Sequence, residues 1–172
     1  GGHSPLQNAF PQSRSIGWPR MANQELPHDF KEFLRLLADH KAEYLLIGGY
    51  AVGYYGYPRT TADMDVWVAI DDANAAKLVR ILTEFGMVTD ELAPALFLNP
   101  GNIVRMGLPP VRIEVLNEID GVEFGECAER ATNTTIDGIP VRLISLEDLR
   151  VNKRASGRFK DLDDLEHLPG DT

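Results

Sequence analysis

Two acids, Asp63 and Asp65, stand at alternate positions inside the apolar stretch TTADMDVWVAI, residues 60–70. Side chains in a strand alternate faces with a period of two, so both carboxylates project from one face while Met64, Val66, Val68 and Ile70 line the other. Carboxylates forced together repel and titrate as a coupled pair unless solvent or a bound cation compensates them. The cation that suits them is a hard divalent one. Mg²⁺ takes oxygen ligands near ~2.1 Å and is commonly held by one or two carboxylates plus substrate phosphates. The competing reading is an edge strand that carries charge to prevent association with other sheets. A third acid, Glu114, lies in VRIEVL, residues 111–116, where Val111, Ile113 and Val115 share one face and Arg112, Glu114 and Leu116 the other. Were the two strands neighbours, three carboxylates would converge, sufficient for one or two ions ~3.5–4 Å apart.

Two further groups suit phosphate. Gly48 and Gly49 fall between YLLI and AVGYYG, a strand followed by a helix. Glycines there let the backbone approach an anion, and the helix's free N–H groups and dipole favour it; the alternative is a purely steric turn. Near the C-terminus, RVNKRASGRFKDLDDLEHL holds five of the seventeen Lys and Arg residues: Arg150, Lys153, Arg154, Arg158 and Lys160. They read equally as cations complementing helix dipoles or as a phosphate clamp, with Lys as a mobile point charge and Arg as a bidentate fork. Asp161 and Asp164, three residues apart, are either solvated or paired with such a cation.

Positioning these groups requires alternating strands and helices. PHDFKEFLRLLADH reads as a first helix, with Phe30, Phe33, Leu34, Leu36 and Leu37 at helical spacing and Pro27 near its start. YLLIG is a buried strand, MDVWVAI a second, and DDANAAKLVRILTEFG an amphipathic helix capped by Asp71 or Asp72 and stopped at Gly86. In ALFLNPGNIVRMG, the turn residues NPGN predict two short strands paired across them. VRIEVL is a strand, GVEFGECAERAT a short helix, and IPVRLI a further strand. SLEDLRVNKRAS opens on a Ser145-x-x-Asp148 capping box and closes at Gly157, so it is predicted helical. RFKDLDDLEHL adds a last helix with Phe159, Leu162 and Leu165 on one side. The order predicts an α/β (α+β) domain, a mixed sheet flanked by helices with helices at the C-terminal end.

Composition limits the function. The chain has 172 residues, 44% hydrophobic and 25% charged, with a net charge of −9. That is one globular domain, and its bulk charge argues against coating nucleic acid while leaving room for a local basic patch. The single Cys127 excludes a disulfide framework and a multi-cysteine zinc site and fits a reducing, cytoplasmic setting. His3, His28, His40 and His167 show no ligand spacing in the sequence. The apolar run from Tyr44 to Tyr57 is shorter than the ~20 residues of a membrane span and is broken by glycines, so no membrane association is expected. Residues 1–20, rich in Pro, Gly, Ser, Gln and Asn, read as an appended or disordered leader. Met21 would then be the natural start and 21–172 a single domain.

Gly48-Gly49, then Arg59-Thr60-Thr61-Ala62-Asp63-Met64-Asp65, then Glu114 resemble the signature of the nucleotidyltransferase superfamily that includes DNA polymerase β. Gly49 stands where Ser is often found, and Glu114 where Asp is common. The ending NKRASGRFKDLDDLEHL resembles the minimal bacterial nucleotidyltransferases, including the AbiEii-type toxins, whose later motifs are a Lys and an Asp-x-x-Asp helix. The resemblance spans roughly Tyr44 to Leu168. It implies the nucleotidyltransferase fold and transfer of a nucleoside monophosphate from a nucleoside triphosphate to an acceptor hydroxyl, with Mg²⁺ or Mn²⁺. Asp63, Asp65 and Glu114 would be metal ligands and catalytic, Glu114 alternatively the base. Lys153 would act on the triphosphate; Gly48, Gly49, Arg59, Thr61, Arg158, Asp161 and Asp164 would complete nucleotide binding. The toxin-like ending implies an RNA acceptor such as a tRNA 3′ end, and an antitoxin as partner. A protein or small-molecule acceptor, a fold that binds nucleotide or a partner without turnover, and a metal-dependent phosphohydrolase are the alternatives.

Overall fold

The computed structural model describes residues 26–57 and 63–170. Helix α1 (His28–Asp39) buries Phe30, Phe33, Leu34 and Leu37, the stripe its 3.6-residue period dictates. Strand β1 (Tyr44–Ile47) is buried throughout and runs directly into α2 (Gly48–Tyr55). Strand β2 (Asp63–Val68) carries the two alternating acids, with Met64, Val66 and Val68 fully buried on its other face. Helix α3 (Asp72–Phe85) begins at Asp71, whose side chain accepts from Asn74 N, and ends at left-handed Gly86. A short helix, α4 (Ala95–Leu98), precedes the hairpin of β3 (Ile103–Leu108) and β4 (Val111–Leu116). After α5 (Phe124–Glu129) come β5 (Thr132–Ile136), β6 (Ile139–Leu143), α6 (Leu146–Ser156) and α7 (Phe159–His167).

Among the described residues the strands form one six-stranded sheet in the order β3-β4-β2-β1-β6-β5. It is mixed: β1 pairs β2 and β3 pairs β4 antiparallel, while β2–β4 and β1–β6 are parallel. Helix α1 packs on α3 and β6, whereas α2 packs on β1, β2 and α6. The expected mixed α/β sheet flanked by helices, with two helices closing the chain, is what is observed.

Three local expectations are corrected. The segment expected to supply a strand before NPGN is helical, because Phe97 buries against the core and Asn117 holds the helix end. The Asn117 amide donates to Phe97 O at 3.2 Å and Asn99 O at 2.9 Å. The strand after the turn pairs instead with β4, whose Val111 stands opposite Leu108. Strand β5 had no counterpart in the sequence reading; TNTTI is polar and lies at the sheet's edge, where only one neighbour is needed. Helix α7, read with Phe159, Leu162 and Leu165 on one side, does not pack by that side: Phe159 is 92% and Leu162 40% exposed while Asp161 and Asp164 are buried at 2% and 0%. An ion pair decides its orientation, as the site makes clear.

Candidate active site

The join between β1 and α2 builds the centre of the site. Gly48 adopts φ +67°, a left-handed conformation costly for residues with a Cβ. Ile47 stands opposite Asp65 in the antiparallel register, which lays the Asp65 carboxylate against Gly48. A Cβ at Gly48 would overlap Asp65 Oδ2, so backbone conformation and close approach both call for glycine. On the other side of β2 the parallel register places Asp65 beside Glu114 and Asp63 beside Arg112. The two strands are thus neighbours, and the three carboxylates share one face.

Electrostatics at this face are uneven. Burial, then the nearby Glu114 and Asp63 charges, push the Asp65 carboxyl from 3.8 up to about 6, with Lys160 and Lys153 pulling the other way. Asp65 Oδ1 is buried and accepts no hydrogen bond. Its neighbours do have cations: Arg112 Nη2 donates to Asp63 Oδ2 at 3.0 Å, and Arg105 Nε to Glu114 Oε2 at 2.9 Å. The hydrogen bond to Asp63 leads the causes that raise the Arg112 pKa above that of an ordinary arginine.

The facing wall comes from α6 and α7. Ser145 caps α6 by accepting from Asp148 N, Arg130 grips the Asp148 carboxylate at 2.9 and 3.0 Å, and left-handed Gly157 ends the helix. This fixed helix carries Lys153, only 5% exposed, whose Nζ lies 2.9 Å from Asp161 Oδ1 and 3.1 Å from Asp164 Oδ2. Ser156 Oγ also donates to Asp161, and Arg158 Nε does so at 2.8 Å. Burial alone would raise the Asp161 carboxyl; the hydrogen bonds of Ser156, Lys153 and Arg158 outweigh it and bring the pKa down to about 2. A buried lysine needs these acids, which is why α7 turns Asp161 and Asp164 inward and Phe159 and Leu162 out.

A cleft of about 650 Å³ lies between sheet and wall, lined by Gly48, Gly49, Asp63, Asp65, Glu114, Lys153, Arg158 and Asp161. Of the residues singled out from the sequence, these eight and Lys160 come together. Asp164 sits behind Lys153 without lining the cleft, and Arg59 and Thr61 lie outside the described residues. The basic cluster divides: Lys153, Arg158 and Lys160 face the cleft, while Arg150 donates to Pro169 O at 2.8 Å. Sequence reasoning missed Arg105, Glu118, Asp120 and Asn152, which also line it. Arg105 becomes legible only once β3 is known to pair with β4, for then it stands opposite Glu114. Asn152 donates to Asp120 O at 2.9 Å and ties that loop to α6, a contact with no sequence signal.

The donors present fit a divalent cation. They are carboxylate oxygens, Asp65 Oδ1 is a buried acceptor without a partner, and Gly48 admits the Asp65 carboxylate where any Cβ would collide with it. Among the described residues, the three ligating groups whose atoms lie within 4.8 Å of one another are a different set, His28, Asp29 and Glu32 at the start of α1, of which His28 and Asp29 are exposed. Among the described residues no helix is long and apolar enough to cross a membrane.

Comparison with known proteins agrees with this geometry. No curated protein matches the chain in sequence. A protein from Thermotoga maritima assigned as a nucleotidyltransferase (TM1012) is similar in structure at TM-score 0.56 and 17% identity, over 80% of this chain and 88% of that one. The antibiotic-resistance factor ANT(2″)-Ia is similar at TM-score 0.52 and 14% identity, over 80% and 79%. Both likenesses place the fold among nucleotidyltransferases. With the family described as nucleotidyl transferase of unknown function (DUF2204) matching over residues 27–169, the chain belongs to that nucleotidyl transferase family.

Proposed function

We propose that the protein transfers a nucleoside monophosphate from a nucleoside triphosphate to an acceptor hydroxyl, with Mg²⁺ or Mn²⁺ as cofactor. The observation that carries this is Asp65: a buried carboxylate with a partnerless oxygen, aligned with Asp63 and Glu114 and facing Lys153, Arg158 and Lys160 across one cleft. Asp63 and Asp65 would hold the ion, with Glu114 as a further ligand or as the base that accepts the acceptor's proton. When bound, the ion would neutralise charge developing on the phosphates and the leaving pyrophosphate.

The chain's own residues do the positioning. Gly48 and Gly49 present backbone N–H groups at the start of α2 to the phosphates. Lys153, held by Asp161 and Asp164, offers a pre-aimed charge to the triphosphate, and Arg158, 79% exposed at its side chain, can turn from Asp161 to the same group. The hydroxyl attacks the α-phosphorus, the α–β bridging bond breaks, and pyrophosphate departs with the electron pair.

For the acceptor, an RNA end such as a tRNA 3′ terminus is the first reading. It follows the AbiEii-like ending and the cations Arg158 and Lys160 at one mouth of the cleft. In that reading the protein is a toxin with an antitoxin partner. A small-molecule acceptor is the second reading, favoured by Glu118 and Asp120 at the cleft, whose charge repels a polyanion, and by the fold shared with an antibiotic-resistance factor. The test supplies each of the four α-³²P nucleoside triphosphates with Mg²⁺ or Mn²⁺ to total RNA, total protein and a polar small-molecule pool, with Asp63→Ala as control. Label that appears in one pool and vanishes in the variant identifies reaction, donor and acceptor class together. Label equal in both proteins would sink the assignment.

A further inference from the structure

The three carboxylates of the shared face are not equivalent, and what distinguishes them is arginine. Arg112 reaches across two registers: its Nη2 is 3.0 Å from Asp63 Oδ2 and its Nε 3.6 Å from Glu114 Oε2. Arg105, opposite Glu114 on β3, places its Nε 2.9 Å from that same Glu114 oxygen. One oxygen of Glu114 therefore meets two guanidinium groups. Among the described residues these two guanidinium groups pair with Asp63 and Glu114, while Asp65 pairs with neither and its Oδ1 has no hydrogen-bond partner.

Resting on the metal-dependent reading above, we propose that Arg112 bridges Asp63 and Glu114 in the role of a second divalent ion, so that this site takes a single ion, at Asp65 and Asp63. A carboxylate pair ion-bridged elsewhere by a metal is here bridged by a guanidinium that strand register delivers to the same gap. A second dication placed there would meet a fixed positive charge and would have to displace a guanidinium that donates to Asp63 and lies within ion-pair distance of Glu114, at a position on β4 set by the sheet. Glu114 is then a member of the arginine network, and Arg112 is a positioning residue that keeps Asp63 aimed at the one ion.

Mn²⁺ electron paramagnetic resonance tests this without reference to turnover. The full chain, carrying His28→Ala and Glu32→Gln to silence the exposed cluster on α1, is titrated with Mn²⁺ in the presence of an equimolar non-hydrolysable nucleoside triphosphate analogue. The expected spectrum is that of an isolated bound ion, and Asp65→Asn should lose it. Arg112→Ala, and Arg112→Gln should the smaller side chain impair folding, should gain a second ion and the spin-coupled spectrum of a pair ~3.5–4 Å apart. A coupled pair already present with Arg112 intact would overturn the inference while leaving the metal-dependent reading standing. Failure of both Arg112 variants to gain the second ion would overturn it equally. Binding of no Mn²⁺ at all, with Asp65→Asn indistinguishable, would remove the metal-dependent reading and this inference together.

Discussion

Gly48→Ala probes the contact that sets Asp65. Its expected cost has two parts with different origins. Holding an alanine at φ +67° costs about 1–2 kcal/mol, because the Cβ crowds the following carbonyl oxygen. The same Cβ overlaps Asp65 Oδ2, and relieving that overlap in a packed site costs about 1–3 kcal/mol more. Asp65 cannot simply retreat, since its own backbone is hydrogen-bonded between β1 and β4. The two parts separate in a double-mutant cycle. With Asp65→Ala already in place there is nothing to overlap, so Gly48→Ala should cost only the backbone part. The coupling energy should therefore be about 1–3 kcal/mol, read from urea unfolding of the metal-free protein with a common slope. Coupling below about 0.5 kcal/mol would refute the argument that Gly48 exists to admit the Asp65 carboxylate.

Asp65 also sets a pH dependence. A carboxyl whose folded-state pKa stands at about 6 against an ordinary 3.8 binds more protons folded than unfolded, so the metal-free protein should lose stability as pH rises from about 4 to about 6. Asp65→Asn should then be the more stable protein above pH 6, by about 1–3 kcal/mol, with the gap closing near pH 4; parallel unfolding profiles would contradict this. Mn²⁺ affinity of the unaltered chain should climb through the same window, as proton and ion compete for Asp65 in a direct titration. Lys153→Met removes the cation that buried Asp161 and Asp164 share and should cost about 3–5 kcal/mol in denaturant, most of it recovered when both aspartates become asparagine. On the outer face of α7, Leu162→Lys should change stability by less than about 0.5 kcal/mol, whereas Asp164→Ala, two residues on and on the inner face, should cost about 1–3 kcal/mol; the reverse order would show that the helix packs by its apolar residues after all.

Local signals were legible wherever the chain's own period or cap chemistry decides the outcome. The α1 stripe, the Asp71 and Ser145 caps, the Gly86 and Gly157 stops and the alternation of Asp63 and Asp65 each depend on neighbours within a turn or two, so they follow from residue order. Two misjudgements share the opposite cause. Ala95–Leu98 carries no strong intrinsic preference, and its helix is held by Asn117, just past the end of β4 and eighteen residues beyond Asn99. Helix α7 has an apolar face and an acidic face, and periodicity names the apolar one as buried; a lysine on the preceding helix reverses that choice, because a desolvated ammonium demands carboxylates more strongly than two leucines demand cover.

Residue order by itself determined which groups this protein has for its chemistry: a glycine pair after a strand, two same-face acids, a third acid on a later strand, and a cationic helix end. Only the tertiary structure decided how they divide the work. Pairing of β2 with β4 brings Glu114 beside Asp65, pairing of β3 with β4 brings Arg105 to Glu114, and Arg112 pairs with Asp63, so that among the described residues Asp65 is the acid of the three that neither arginine pairs with. Register between strands far apart in sequence depends on the packing of the whole sheet, and charge balance depends on which side chains that register makes adjacent. Neither is a property of any one segment.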